Sequence, residues 1–381
     1  MKLAFCLYKY FPYGGLERDF LRIARVCKNR GHDIHVYTMH WEGEPEIDFH
    51  MHLLNILAKQ NHTRCYAFSK QIKDHLKANQ YDVVIGFNKM PDLDIYYAAD
   101  MCYQARIHEN RYFFHRFLPR YRQLIALEKA VFMQGKPTKI LLISPEQQTA
   151  YMRYYQTETN RFHLLPPGIT KDRIAPLHTH HIRDTMRKAY QLADEHRLVL
   201  MIGSGFKTKG LDRTIIALAS LPENLKKCCQ LFVIGQDNPR YYQRLAKRFS
   251  IENQIRFLGG RDDVPTFLLA ADLLIHPAYH ENTGTVLLEA IASGLPVLTT
   301  DVCGYAHFIN EAKAGIVLTS PFQQLELNGA LQNMLSSSTQ KWRQNGLSFA
   351  KQADIYSLPE KATDFIESVR KNRETLSTRS Y

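Results

Sequence analysis

Ten short apolar runs, separated by stretches of helical periodicity, constrain this fold more than any other feature. In the first half they are residues 3–8, 34–39, 82–87, 95–100 and 139–144; in the second, 198–203, 230–235, 255–260, 273–278 and 296–301. Runs this short, rich in aliphatic residues and with little polar alternation, suit strands buried on both faces. Helical segments are expected at 16–29, closed by Gly31, and at 211–220, 239–249, 263–271 and 284–293. Strands alternating with helices of that length make βαβ units and parallel sheets.

A chain of 381 residues is too long for one typical core and suits two. The expected fold class is therefore α/β, with two Rossmann-like, doubly wound parallel-sheet domains. The break is placed near Leu165-Pro166-Pro167-Gly168-Ile169, where two prolines and a glycine stop any regular element. That gives a first domain at 1–168, a second at 169–350, and a C-terminal helical segment at 351–381 that crosses back to the first. Ligands of such sheets bind beyond the carboxyl ends of the strands, so the expected site is a cleft between two facing domains.

The opening residues read as a first strand rather than a secretory signal, because Lys9 interrupts the apolar run. No stretch approaches the length of a membrane span. Seven cysteines, with no CxxC pair, point to a reducing compartment with cysteine as a small buried apolar residue. The formal net charge of +12 points to an anionic partner: nucleic acid, anionic lipid or a phosphorylated substrate.

Three places carry candidate chemistry. Gly14-Gly15 follows the first strand and opens a helix, so backbone N–H groups and the helix N-terminus can meet an anion there; Asp19 sits one turn further in. The spacing is not G-x-G-x-x-G, which disfavours a nicotinamide cofactor. The second place, residues 203–210, ends a strand in glycines followed by Lys207 and Lys209, a pattern suited to a diphosphate. The third is His280-Glu281-Asn282-Thr283-Gly284-Thr285-Val286-Leu287-Leu288-Glu289. Asn282 or Thr283 is expected to cap a helix from near Gly284. Eight residues at helical rise already span about 12 Å, whereas the two carboxyls of a retaining glycosidase stand about 5–5.5 Å apart. Glu281 and Glu289 therefore suit two grips on one elongated ligand better than a nucleophile and acid on one bond.

The E-x7-E pattern of Glu281 and Glu289, with the Lys209-Gly210 loop and the Gly14-Gly15 turn, resembles the retaining GT-B glycosyltransferases of family 4. The segments CLYKYFPYGGLERDF, GFNKMPDLD, LPPGI, HPAYHE, GLPVLTTDVCGYAHFI and YSLPEKA resemble the members of that family that add glucose to the heptose of the lipopolysaccharide inner core. The likeness covers nearly the whole chain. It implies a UDP-sugar donor, UDP-glucose, with no metal or other cofactor, and retention at the anomeric carbon by front-face substitution. It assigns Glu281 and the 282–285 backbone to the sugar hydroxyls. Glu289 falls to the ribose, Lys209 with the Gly14-Gly15 turn to the diphosphate, and the Gly259-Gly260-Arg261 turn to the uracil. The first-turn backbone through Val286 and Leu287 completes the implied donor set. Asp100 matches a position near the reacting carbon. The chain departs from the family at Ser204, where an arginine is common; Lys207 or Arg173 is the expected replacement.

Two tempting metal patterns are set aside. Asp92-Leu93-Asp94 is a short D-x-D, common by chance, and His178, His180 and His181 read as a solvated linker with no partner ligands nearby. Residues 103–139 hold eight Lys/Arg against two Glu, interleaved with Tyr112, Phe113, Phe114, Phe117, Leu118 and Tyr121. Basic and aromatic residues on a helical segment suit an anionic membrane interface. Arg106, Arg111, Arg116, Arg120 and Arg122 are its candidate contacts to anionic inner-membrane lipids or acceptor phosphates. No nucleic-acid motif accompanies them. The expected location is thus cytoplasmic, peripheral on the inner face of a bacterial inner membrane, with a lipopolysaccharide core precursor as acceptor. The alternatives are a related transferase using UDP-galactose or UDP-N-acetylglucosamine, and a non-catalytic sugar- or lipid-binding adaptor.

Overall fold

The computed structural model describes residues 1–12, 14–109, 117–176 and 179–378. They form two compact units, one of Met1–Gly168 with Ser357–Tyr381, the other of Ile169–Tyr356. The first unit holds β1 (Lys2–Cys6), α1 (Gly15–Asn29), β2 (Asp33–Thr38), β3 (His50–Leu53), α2 (Asn61–Ala78), β4 (Val83–Gly86) and β5 (Ile95–Ala98). It continues with α3 (Tyr103–Glu109), α4 (Pro119–Phe132), β6 (Lys139–Leu142), α5 (Glu146–Tyr155) and β7 (Phe162–Leu164). The second holds α6 (Thr179–Ala189), β8 (Arg197–Ile202), α7 (Leu211–Ala219), α8 (Glu223–Cys228), β9 (Cys229–Ile234), α9 (Arg240–Arg248) and β10 (Ile255–Phe257). There follow α10 (Val264–Ala270), β11 (Leu273–His276), α11 (Thr285–Ala292), β12 (Val297–Thr300), α12 (Ala306–Ala312), β13 (Gly315–Leu318), α13 (Gln324–Ser336) and α14 (Gln340–Gln352); α15 (Leu358–Thr378) belongs to the first unit.

Each unit is built on one parallel sheet, ordered β3-β2-β1-β4-β5-β6-β7 in the first and β10-β9-β8-β11-β12-β13 in the second. Both sheets are buried on two faces, as the unbroken apolar runs require. On β1, Leu3 and Phe5 pack into one core layer with α1 residues, while Ala4 and Cys6 pack into another with Phe68 and Ile72 of α2. On β8, Leu198 and Leu200 join one layer, and Val199 and Met201 the other. Helix α15 covers α1: Leu358, Ala362 and Ile366 are buried with Phe20, Ile23 and Cys27, and Arg30 reaches Asp364 at 2.8 Å and Glu367 at 3.1 Å.

The ten anticipated strands are all present. Three more, β3, β7 and β13, lie at sheet edges, where short strands need no long apolar run. Strand β5 is shorter than its apolar run and stops at Ala98, so Asp100 lies beyond it. No helix among the described residues is long and apolar enough to cross a membrane.

The strand order of each sheet fixes where its site can be. Connections leave β1 and β4 in opposite directions in the first sheet, as they leave β8 and β11 in the second. At such a switch point the loops after the two strands part and leave a crevice for a ligand.

Candidate active site

In the second unit, the loops after β8 and β11 are laced together. Tyr279 N donates to Thr208 O at 2.8 Å, and Arg213 donates to Pro277 O and Ala278 O at 3.1 and 2.9 Å. Gly210, at φ +79°, lies so close to the second loop that a Cβ there would stand 2.0 Å from Pro277 O. This packing turns the Lys209 side chain inward. It is 19% exposed, and its ammonium contacts the carboxylate of Glu281, itself 13% exposed. Burial pulls the Lys209 pKa down to about 8, and the nearby Cys303 opposes that pull.

His276, at the end of β11, is fully buried, with Nε2 3.4 Å from Glu281 Oε2. Burial, and then the Lys209 charge, lower its pKa to about 3. It is therefore neutral at physiological pH, and Glu281 is the acceptor for an Nε2–H. In sequence His276 lies within an expected strand, and the HPAYHE segment that contains it is the signal for its role.

Helix α11 begins at Thr285, and its N-cap is Gly284 in the left-handed region, with no side-chain cap. This corrects the expectation that Asn282 or Thr283 caps the helix. Thr283 instead accepts from Tyr305 N through its carbonyl at 2.7 Å. A glycine cap leaves the first-turn N–H groups without a side-chain oxygen over them, and the helix dipole favours an anion at that end. Leu287 is wholly buried in the core and its N–H donates to Gly284 O at 2.9 Å, so the N–H groups open to a ligand are those before it in the first turn. Glu289 is buried on α11, and Arg173 Nε lies 3.7 Å from its Oε1. Among the described residues, Nε and one terminal nitrogen of Arg173 are buried without a hydrogen-bond partner.

The other second-unit candidates are arranged differently. Lys207 is 65% exposed and bridges Asp212 at 2.6 Å and Tyr279 Oη at 3.2 Å. Its charge is thus engaged, whereas Arg173, although near Glu289 and Asp172, keeps the two unpartnered nitrogens described above. Arg261 is clamped in two contacts to Asp263, at 2.6 and 2.7 Å. A depression of about 610 Å³ between α6 and α10 is lined by Arg261 and Asp263 but by none of Lys209, Glu281 and Glu289.

In the first unit, Gly14 is the N-cap of α1. The space above it is filled, since a Cβ there would meet the Glu17 carboxylate and Phe11, whereas Gly15 faces open space. Asp19 accepts from Tyr97 Oη at 2.7 Å. Asp100 is exposed, and its carbonyl accepts from Tyr151 Oη at 2.9 Å. Sequence reasoning missed a buried node, Glu128 on α4. Its carboxylate takes Lys89 Nζ at 2.6 Å, Tyr155 Oη at 2.5 Å, and the Tyr103 and Gln104 N–H groups of α3 at 2.9 and 3.0 Å. Burial pushes its pKa up, but Lys89 and these donors outweigh burial and hold it below the usual range.

Glu128 thereby fixes the start of the basic segment. Arg106 on α3 lies 5.3 Å over the Tyr103 ring. Arg120 and Arg122 on α4 are exposed, beside Phe117 and Leu118, 64% and 48% exposed. Arg111, Arg116, Tyr112, Phe113, Phe114 and His178 lie outside the described residues. His180 and His181 are exposed at the start of α6. Asp92 pairs with Lys73 at 2.8 Å, and Asp94 accepts from Val84 N at 2.9 Å, so the D-x-D carboxylates are occupied structurally.

Two parallel-sheet units, one with a Lys–Glu pair and a glycine-capped helix at its switch point, define a GT-B glycosyltransferase. The family described as "Glycosyltransferase Family 4" matches residues 13–173, and that described as "Glycosyl transferases group 1" matches residues 182–349. The chain is 46% identical to lipopolysaccharide glucosyltransferase WaaG of Escherichia coli K12, over 96% of this chain and 98% of that one. It superposes on the crystal structure of WaaG with a TM-score of 0.93, covering 96% and 99% of the two chains. A structure of Anabaena Alr3699/HepE with UDP and glucose shares the fold at a TM-score of 0.75 and 18% identity, covering 97% and 100%. The chain belongs to the glycosyltransferase family that includes the E. coli lipopolysaccharide glucosyltransferase.

Proposed function

We propose that this protein transfers glucose from UDP-glucose to a heptose of the lipopolysaccharide inner core, with retention at the anomeric carbon. The observation that carries the reading is the Lys209–Glu281 contact beside the glycine-capped start of α11, in a chain 46% identical to a lipopolysaccharide glucosyltransferase. Lys209 and Glu281 satisfy each other. A nucleotide sugar replaces that one contact with two: its diphosphate takes Lys209 and the α11 N–H groups, and its sugar hydroxyls donate to Glu281. Glu289 accepts from the ribose, and Arg173 beside it offers spare donors to the phosphates.

Front-face substitution follows from these roles. The sugar–phosphate bond breaks as the acceptor hydroxyl adds on the same face, and the leaving phosphate oxygen takes the hydroxyl proton. Lys209 and the helix N-terminus stabilise the negative charge that develops on the phosphate. Neutral His276 orients the Glu281 carboxylate. No protein nucleophile is required.

For the acceptor side, exposed Phe117, Leu118, Arg120 and Arg122 support docking to an anionic membrane surface, on the cytoplasmic face of the inner membrane. The test offers UDP-glucose, UDP-galactose, UDP-N-acetylglucosamine and ADP-heptose with a heptose-terminated core. Transfer from UDP-glucose well above the others is expected; preference for another donor overturns the sugar assignment, and UDP release that ignores the acceptor overturns the acceptor assignment.

A further inference from the structure

One cluster lies away from all of these residues. In the first sheet, Asp33 begins β2, His35 follows two positions on, and His50 begins the edge strand β3. Register pairs His35 with His50, and the alternation of side chains along a strand puts Asp33 and His35 on one face. The result is a convergent donor set. Asp33 Oδ2 is 3.1 Å from His35 Nε2, and Asp33 Oδ1 is 3.1 Å from His50 Nε2. One ligand atom from each residue lies within 4.8 Å of the others, and the two imidazole rings are stacked at 4.6 Å.

We propose that Asp33, His35 and His50 form a binding site for a divalent transition-metal ion of the zinc type, clipping edge strand β3 to β2. Four ligands at about 2.0–2.1 Å around zinc stand about 3.3 Å from one another in a tetrahedron. Each imidazole Nε2 lies 3.1 Å from its own oxygen of Asp33, and a turn of the exposed His50 ring and Asp33 carboxylate brings one atom of each residue from within 4.8 Å to that spacing. Two imidazoles and one carboxylate select zinc, cobalt or nickel over magnesium and calcium. Three protein ligands leave a fourth position for water. His50 and Asp33 are 61% and 46% exposed, so an ion has access, while His35 is 12% exposed and rigidly held.

The surroundings are also those of a ligand. His35 Nδ1 is 2.9 Å from His52 Nε2, so the ring that offers Nε2 to a metal can donate Nδ1–H to His52, which fixes its tautomer. His52 in turn stacks on Tyr37 at 4.4 Å. The nearby Lys2 ammonium is turned over the Tyr81 ring, 4.9 Å from its centre. The cluster sits at the amino ends of β2 and β3, whereas substrates of such sheets bind at carboxyl ends. The clip is structural and takes no part in sugar transfer.

The test titrates untagged full-length protein with Co²⁺, reading the visible absorption of tetrahedral cobalt, and then with Zn²⁺ in competition. One equivalent is expected, with a tetrahedral spectrum lacking thiolate bands. His50→Gln and Asp33→Asn should each weaken binding by about 100-fold or more. His52→Phe, which keeps the stack on Tyr37, should weaken it by about 10–100-fold. His180→Gln should leave it unchanged, and glucosyl transfer by His50→Gln should stay at the wild-type rate. Circular dichroism verifies that each variant is folded. No stoichiometric binding to wild-type protein, or undiminished binding in both His50→Gln and Asp33→Asn, overturns the proposal.

Discussion

The ammonium of Lys209, carried by the loop after β8, meets the carboxylate of Glu281, carried by the loop after β11. Two loops that part at a strand-order reversal thus bring opposite charges together at the place where a parallel sheet binds ligands.

Lys209→Ala and Glu281→Gln should each lose most glucosyl transfer while the protein stays folded. Losing a charged contact to the transition state costs about 2–4 kcal/mol, or about 30–1000-fold in rate. Steady-state kinetics with UDP-glucose, paired with circular dichroism, measure this. Near-wild-type turnover by either variant would remove it from the site.

The Lys209 pKa, lowered to about 8 by burial, gives a pH dependence of definite sign. The side chain is charged below pH 8 and loses its charge as pH rises through that value. The KM for UDP-glucose should therefore climb above pH 8. Lys209→Arg, whose guanidinium keeps its proton throughout, should flatten the climb; a rise of the same size in that variant contradicts the assignment.

Gly210→Ala should disrupt the site without touching a charge. The backbone there is left-handed, and the added carbon would stand 2.0 Å from Pro277 O, so the loop must shift. Backbone strain of this kind costs about 1–3 kcal/mol. The expected result is weaker donor binding by calorimetry with an intact far-ultraviolet spectrum.

Glu128→Ala should unfold the first unit more easily, by about 3–5 kcal/mol, because it leaves Lys89 with an uncompensated buried charge. The sign with pH follows from the lowered pKa of Glu128. Its contribution is present above the unfolded carboxylate pKa and is lost as pH falls through the folded value. Urea denaturation of wild type and variant at neutral and acid pH measures both effects.

Phe117→Ser combined with Leu118→Ser should reduce binding to vesicles containing anionic lipid, and Arg120→Gln with Arg122→Gln should flatten its dependence on salt. Equal binding of the wild type to neutral and anionic vesicles contradicts the docking surface.

The sheets were legible in the sequence wherever a strand is buried on both faces. The run containing Leu3, Ala4, Phe5 and Cys6 is apolar throughout because alternate residues serve opposite core layers. Strand β3, written His50-Met51-His52-Leu53, is an edge strand whose outer side needs no apolar cover, so it carries no such run. In the site, Lys209, Glu281 and Glu289 were visible because glycines and a helix start lie beside them in the chain. Glu128 was not: a single glutamate in a basic segment reads as solvated, and what buries it is Lys89 and the start of α3, distant in sequence. The α11 cap was misplaced because Asn282 and Thr283 are good capping residues, while the left-handed turn at Gly284 replaces them with backbone.

Glucosyl transfer with retention leaves its record in the product linkage. UDP-glucose labelled at the anomeric carbon is incubated with a heptose-terminated core and the protein, and the product is read by NMR. An α-linked glucose on heptose is expected, absent with Lys209→Ala. A β-linked glucose would contradict the front-face mechanism, and unchanged acceptor would contradict the transferase itself.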